Sequence, residues 1–108
     1  MRYDVELTSA AERDLNEIYA YIAEFDSLAR ADRVLTLLLE AVDSLRRFPD
    51  RGSYPLELAD IGIHDFRQTV SSPYRIIYRV MGRKVVILII ADGRRDMQSL
   101  LARRLLAD

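Results

Sequence analysis

The spacing of apolar residues changes character several times along the chain. Tyr3, Val5 and Leu7 alternate with Arg2, Asp4, Glu6 and Thr8, the period of two that marks a strand with one buried face, here expected at a sheet edge. Ser9-Ala10-Ala11-Glu12 then matches a capping box, a hydroxyl at the N-cap with a glutamate three residues on. Ala11, Leu15, Ile18, Ile22 and Phe25 fall at steps of four and three, so they predict one apolar stripe of a first helix, widened by Tyr19. Asp26-Ser27 breaks the pattern and can cap a second helix. Along it Leu28, Ala31, Leu35, Leu38, Val42 and Leu45 recur at steps of three and four, up to an end expected near Phe48, before Pro49. The short connection predicts an antiparallel helical hairpin. Its regular spacing also fits a dimer seam, but packing on the first helix and the sheet is the stronger expectation.

Residues 49–64 hold Pro49, Gly52, Pro55 and Gly62 and read as a long loop with a helical turn around Leu56 to Ala59. Beyond it the period returns to two. Phe66, Gln68 and Val70 alternate with Arg67, Thr69 and Ser71, and Ser71-Ser72-Pro73 makes a turn. Tyr74, Ile76, Tyr78 and Val80 alternate with Arg75, Ile77 and Arg79, and Met81-Gly82-Arg83 turns again. Val85 to Ala91 is apolar at every position and rich in β-branched residues, the mark of a central strand covered on both faces. Asp92-Gly93-Arg94-Arg95-Asp96 follows at once, and Asp96 can cap a last helix carrying Met97, Leu100, Leu101 and Leu105. The expected fold is α+β in a single domain over residues 1–108. It has a small antiparallel sheet, the N-terminal strand plus a three-strand meander, packed on one face by the helical hairpin, with a short C-terminal helix.

Composition adds a few limits. The chain has 108 residues, half of them hydrophobic, enough for a real core. It has no cysteine, hence no disulfide or thiol chemistry, and its start alternates charged and apolar residues unlike a signal peptide. No run approaches the ~20 apolar residues of a membrane span, and a cytoplasmic protein is expected. Net charge is −1, yet residues 1–64 carry net −6 and residues 65–108 net +5. All but one of the sixteen basic residues are arginine, a planar fork suited to bidentate contact, so an anionic partner for the second half is a live expectation.

The chemistry-bearing residues are few. Arg75 and Arg79 point away from the apolar positions of their strand, and Arg67 alternates out of phase with Phe66 and Val70. The three are expected to share one sheet face, with Arg94 and Arg95 at its end. Unpaired guanidinium is costly to bury, so that face must be solvated, paired with acids, or covered by a partner. Taken singly each arginine is most simply a solvated or paired group, while the set reads as a docking surface. His64 is the only histidine, so neither a histidine-rich metal site nor a hydrolytic triad assembles, and no cofactor or metal is expected. Tyr74 and Tyr78 are expected to fill the core with their hydroxyls at its edge.

The order of these features resembles the RelE/ParE superfamily of type II toxins, on the ParE side. The resemblance rests on Tyr74-Arg75-Ile76-Ile77-Tyr78-Arg79, Val85 to Ala91, Asp92-Gly93-Arg94-Arg95-Asp96 and Leu100-Leu101. Leu7-Thr8, Ala11, Asp14-Leu15, Ile18 and Tyr21-Ile22 resemble that family's first helix, and Leu45, Phe48-Pro49 and Gly52 the end of its second. It implies a toxin held by a cognate antitoxin whose C-terminal part wraps it. It also implies one of two activities: inhibition of DNA gyrase by binding, as in ParE-like members, or ribosome-dependent mRNA cleavage, as in RelE-like members. The nucleases use basic residues on the sheet face and, in several members, an aromatic residue six positions after the arginine of the final motif. Aligning that arginine with Arg95 puts Leu101 there, and Lys84 is the only lysine. The residues therefore favour a gyrase-binding inhibitor that is not an enzyme and meets nucleic acid only through its target. Arg67, Arg75, Arg79, Arg94 and Arg95 would anchor target or antitoxin, with an inactive antitoxin-binding module as a further alternative. Many members have histidine where this chain has Asp92.

Overall fold

The structure is a computed structural model that describes residues 2–106. Strand β1 (Asp4–Leu7) leads into helices α1 (Ser9–Phe25) and α2 (Leu28–Ser44), which form the expected hairpin. After a 3-10 turn at Pro49–Arg51 comes the short helix α3 (Leu56–Ala59). Strands β2 (Arg67–Ser71), β3 (Tyr74–Met81) and β4 (Lys84–Asp92) form the meander, and α4 (Met97–Leu101) runs on into one wider, π-type turn over Ala102–Leu106.

The strand order is β1-β4-β3-β2, with β4 central as its unbroken apolar run predicts. The sheet is antiparallel from β2 to β4, but β1 joins β4 in parallel, so it is mixed rather than wholly antiparallel. Helices pack on both faces of the sheet, as the unbroken apolar run of β4 requires, and the second face is covered by α3 and α4. On one face α1 and α2 set Ala11, Leu38, Val42 and Leu45 against Ile76, Tyr78, Val85, Ile87 and Ile90. On the other, α3 and α4 set Leu58, Met97, Leu100 and Leu101 against Ile77, Ile89 and Ala91. Each such aliphatic side chain stabilises the fold by about 1.5–3 kcal/mol when fully buried. β4, sandwiched between the two layers, carries the largest share.

Local signals are displaced by a residue or a turn. The N-cap of α1 is Thr8, whose hydroxyl accepts from the Ala11 N–H, so Ser9 is inside the helix and the expected Ser9–Glu12 box is not what starts it. Ser27 caps α2 as expected. α2 ends at Ser44, a turn before Phe48, and the Ser44 hydroxyl bonds the Ala41 carbonyl there. Phe25 and Leu28, expected on the buried stripes, are exposed at the tip of the hairpin. Tyr19 ties the hairpin together by donating to Asp32 over 2.6 Å. Tyr78 is fully buried, its hydroxyl donating to the Pro49 carbonyl at 2.6 Å and accepting from the Gly52 N–H.

Where β1 stops, β4 would be left with an open edge. The last rung is Thr8 N–H to the Ile87 carbonyl. From there two side chains replace a strand. Asp14 of α1 accepts from the Ile90 N–H at 3.0 Å, and Arg104 donates to the Leu88 carbonyl at 2.8 Å. The two residues also form a bidentate pair, both bonds 3.0 Å. Leu88 lies at an irregularity in the β3–β4 register, since Ile77 pairs with Ile89 and Tyr78 with Ile87.

Candidate functional site at the end of the sheet

The five arginines singled out from the sequence do not converge. In an antiparallel pair directly opposed residues share a face. Arg67 lies opposite Tyr78, so it is on the side of the α1–α2 hairpin, away from Arg75 and Arg79. Its Nη1 donates to the Gly52 carbonyl at 2.9 Å and its Nη2 to the Tyr54 hydroxyl at 3.1 Å. Arg75 does project from the opposite face, but it is engaged there. Its guanidinium makes two 2.8 Å bonds to Glu57 and a 2.7 Å bond to Gln68 Oε1. Those bonds hold the Glu57 carboxyl below its ordinary pKa against the opposing cost of burial. The Arg75 stem lies against Gly93, where a Cβ would stand 3.0 Å from the Arg75 Cδ, so a larger residue there would press on that side chain. Arg79 is half-exposed, 4.0 Å from Asp65 and facing the Phe66 ring.

Arg94 and Arg95 are different, since both stand at the C-terminal end of β4, where the strand aims them past the core. Arg94 closes back on Asp92, with Nε–Oδ1 and Nη2–Oδ2 distances of 2.9 and 2.6 Å, and this pairing lowers the Asp92 pKa. The guanidinium nevertheless remains largely exposed. Arg95 is exposed and makes no ion pair among the described residues.

Three adjoining grooves surround this pair. One of about 440 Å³ runs between α1 and the end of β4, past Ile18, Tyr21, Ile22 and Tyr74 to Arg94 and Arg95. A second, of about 250 Å³, lies between α2 and the Ser71–Pro73 turn, and shares Ile22, Tyr74 and Arg94 with the first. A third, of about 310 Å³, lies between α1 and α4 and shares Asp14, Glu17 and Arg95 with the first. Tyr74 stands on the wall common to the first two, and burial raises the pKa of its hydroxyl. Beside the first groove Tyr21 and Phe25 pack ring to ring at 4.8 Å while each stays about two-thirds exposed. The other cations lining these grooves are Arg13 on α1, Arg30 and Arg33 on α2, and Arg103 and Arg104 in the turn after α4. Arg30 and Arg33, one turn apart on α2, were the available signal, although such a pair is also ordinary on a solvated helix. Groups of three or more acidic or histidine side chains able to hold a metal ion are absent among the described residues.

This geometry, a covered sheet with two cations at the end of its central strand, can be set beside known families. The family described as "ParE toxin of type II toxin-antitoxin system, parDE" matches residues 5–97. The chain belongs to the ParE toxin family. No curated protein sequence matches it. Among solved structures, this ParE-family chain resembles one described as a chromosomal ParDE toxin–antitoxin system from P. aeruginosa. The TM-score is 0.70 at 22% identity, over 84% of this chain and 96% of the other. It also resembles the RelBE2 toxin–antitoxin complex from Mycobacterium tuberculosis, with TM-score 0.63 and 25% identity over 85% and 99% of the chains. The free E. coli toxin RelE, as an arginine double mutant, matches over 99% and 100% at 15% identity and TM-score 0.55. The chain is thus a type II toxin of the RelE/ParE superfamily with the expected α+β architecture. ParDE and RelBE systems share this fold, so it does not by itself choose an activity.

Proposed function

We propose that this toxin acts by binding DNA gyrase in the cytoplasm rather than by cutting RNA, and that a cognate antitoxin neutralises it. One observation carries the choice: the sheet face away from the α1–α2 hairpin is filled. Arg75 is engaged by Glu57 and Gln68, and Leu101, at the position where several nucleases have an aromatic residue, is wholly buried beneath β4. Metal-free RNA cleavage requires a base beside the 2′-hydroxyl and free cations around the phosphate. What lies open instead is a grooved surface of apolar and arginine side chains at the end of the sheet, with the chemistry of a protein-docking site.

The test is to express the toxin without its antitoxin and to assay purified toxin on gyrase. Growth arrest with DNA damage, loss of supercoiling and trapped gyrase–DNA complexes is the expected result. Prompt cleavage of mRNA on ribosomes with supercoiling untouched overturns the proposal in favour of the nuclease. Absence of any growth defect would leave only an antitoxin-binding module.

A further inference from the structure

We propose that the surface around the 3-10 turn binds single-stranded nucleic acid, stacking bases on its aromatic rings and pairing phosphates with its arginines. This goes beyond the gyrase reading and does not depend on it. It also departs from the expectation that the toxin meets nucleic acid only through its target.

The run Arg47-Phe48-Pro49-Asp50-Arg51-Gly52-Ser53-Tyr54 interleaves cations with rings. The fold adds His64 and, from β2, Arg67. The Arg51 guanidinium lies over the Phe48 ring, 4.9 Å from its centroid, and that of Arg67 over Tyr54 at 4.6 Å. The His64 ring meets Tyr54 edge to face, with centroids 5.1 Å apart. Arg67 joins the two pairs. Its Nη1 donates to the Gly52 carbonyl at 2.9 Å and reaches the Asp50 carbonyl at 3.5 Å, which pins the turn carrying Phe48 and Arg51. Ser53 and Gln68 exchange backbone bonds of 3.0 and 2.7 Å, tying the residue before Tyr54 to β2. The rings are thus in place before any ligand arrives, which lowers the cost of binding one. They also remain open, Phe48 being 53% and Tyr54 40% exposed.

A guanidinium over a surface ring is common and needs no ligand. Charge is what sets this patch apart. Arg47, Arg51 and Arg67 make no ion pair among the described residues, and Asp50 is the one acid in the run. Yet residues 1–64 as a whole carry net −6. An apolar partner would use the rings and leave three cations without counter-charge. An acidic peptide would use the cations and has no need of flat rings. A duplex offers phosphates but hides the faces of its bases. A single strand offers a π-face and a phosphate at every nucleotide, and so uses both kinds of side chain. The patch is also distinct from the grooves. Arg67 pairs with Tyr78, four rungs from the Ser71–Tyr74 pair that borders them.

The test is fluorescence anisotropy of the full-length toxin with labelled oligothymidylate and oligouridylate of about 15 nucleotides. Three neutralised phosphates give a slope of about −2 in log affinity against log salt, hence about a 20-fold loss between 50 and 200 mM. Arg47→Gln with Arg51→Gln should leave about a threefold loss over the same range. Phe48→Ala is expected to weaken binding about tenfold at fixed salt. Phe48→Leu, which keeps an apolar side chain but no plane, should weaken it as much, while Phe48→Trp retains it. These side chains are exposed, and melting curves check that each variant folds; Tyr54→Leu stands in for any Phe48 variant that does not. A preference for the DNA or the RNA strand supports the proposal and assigns the source of the ligand. No binding of either strand at 50 mM salt overturns it, as does a duplex bound equally well. Phe48→Leu binding like the wild type overturns the stacking. Losses confined to Arg94→Gln with Arg95→Gln would place the strand elsewhere and also overturn it. None of these outcomes bears on gyrase inhibition, which is read separately in the supercoiling assay.

Discussion

The clasp that completes the edge of β4 makes the sharpest prediction about stability. Asp14 and Arg104 are 90 residues apart and are 13% and 22% exposed. Asp14→Ala removes the acceptor of the Ile90 N–H and both bonds from Arg104, leaving a partly buried amide and a partly buried cation without their partner. Breaking a buried ion pair typically costs 3–5 kcal/mol, and the residual exposure here brings the expectation to about 2–3 kcal/mol. For a chain of this size that is a fall in Tm of roughly 10 °C. Arg104→Met keeps the stem and the Asp14–Ile90 bond, so it should cost less, about 1–2 kcal/mol. The double variant tests the mechanism. If the two side chains act on each other, its loss falls short of the sum of the single losses by about 1 kcal/mol. Urea unfolding of the four proteins supplies the cycle, and hydrogen exchange at Ile90 should quicken in Asp14→Ala. Strict additivity, or an Asp14→Ala cost within about 0.5 kcal/mol, would refute the view that these side chains stand in for a strand.

Other expectations follow from single contacts. Arg75 holds the folded Glu57 below its ordinary pKa of 4.5, so the unfolded chain takes up this proton first as pH falls. The pair's contribution is therefore complete above about pH 4.5 and is lost as pH drops through the folded value. Glu57→Gln should flatten that acid limb in urea midpoints measured from pH 7 to 3. Gly52→Ala would place a Cβ on the Tyr78 hydroxyl and the Gln68 carbonyl oxygen. Displacing the buried tyrosine should cost about 2–3 kcal/mol in urea unfolding and change the near-ultraviolet dichroism of the tyrosines. Arg94→Ala with Arg95→Ala should leave the melting curve in place yet weaken gyrase inhibition at least tenfold. An unchanged dose–response would remove this pair from the docking surface.

What was legible in the sequence was whatever rests on period. The two helices, the meander and a central strand covered on both faces all follow from spacing, because burial on one side or two writes itself directly into the order of apolar residues. Face assignment between strands was not legible from alternation alone. A strand's alternation separates its two sides but does not say which side opposes which in the neighbour. The two-residue turn Ser72–Pro73 sets Ser71 opposite Tyr74, and counting back sets Arg67 opposite Tyr78. Turn length was thus the missing datum, and with it Arg67 leaves the face of Arg75 and Arg79. The irregularity at Leu88 left no trace, since a run that is apolar at every position has no alternation to interrupt. The contacts of Asp14 with Arg104 and of Glu57 with Arg75 join distant segments, and nothing local marks either partner.

The two-sided covering of the sheet shapes where and how a partner can dock. With both faces of β4 packed, the openings left among the described residues include the grooves where helices meet the end of the sheet. Their walls are α1, α2, the Ser71–Pro73 turn, the end of β4, and α4 with the turn that follows it. Among the described residues no buried side-chain nitrogen or oxygen lacks a hydrogen-bond partner, so nothing inside the toxin waits for a partner to complete it. A surface already satisfied and held by secondary structure gains little by rearranging, and its backbone should move by no more than about 1 Å on binding. Any ordering cost of docking then falls on the partner rather than on the toxin. Backbone amide shifts in the complex should accordingly cluster on the groove walls and spare α3 and residues 67–70 of β2. Shifts spread through the sheet would mean that the toxin itself is remodelled, and the division of labour argued here would fail.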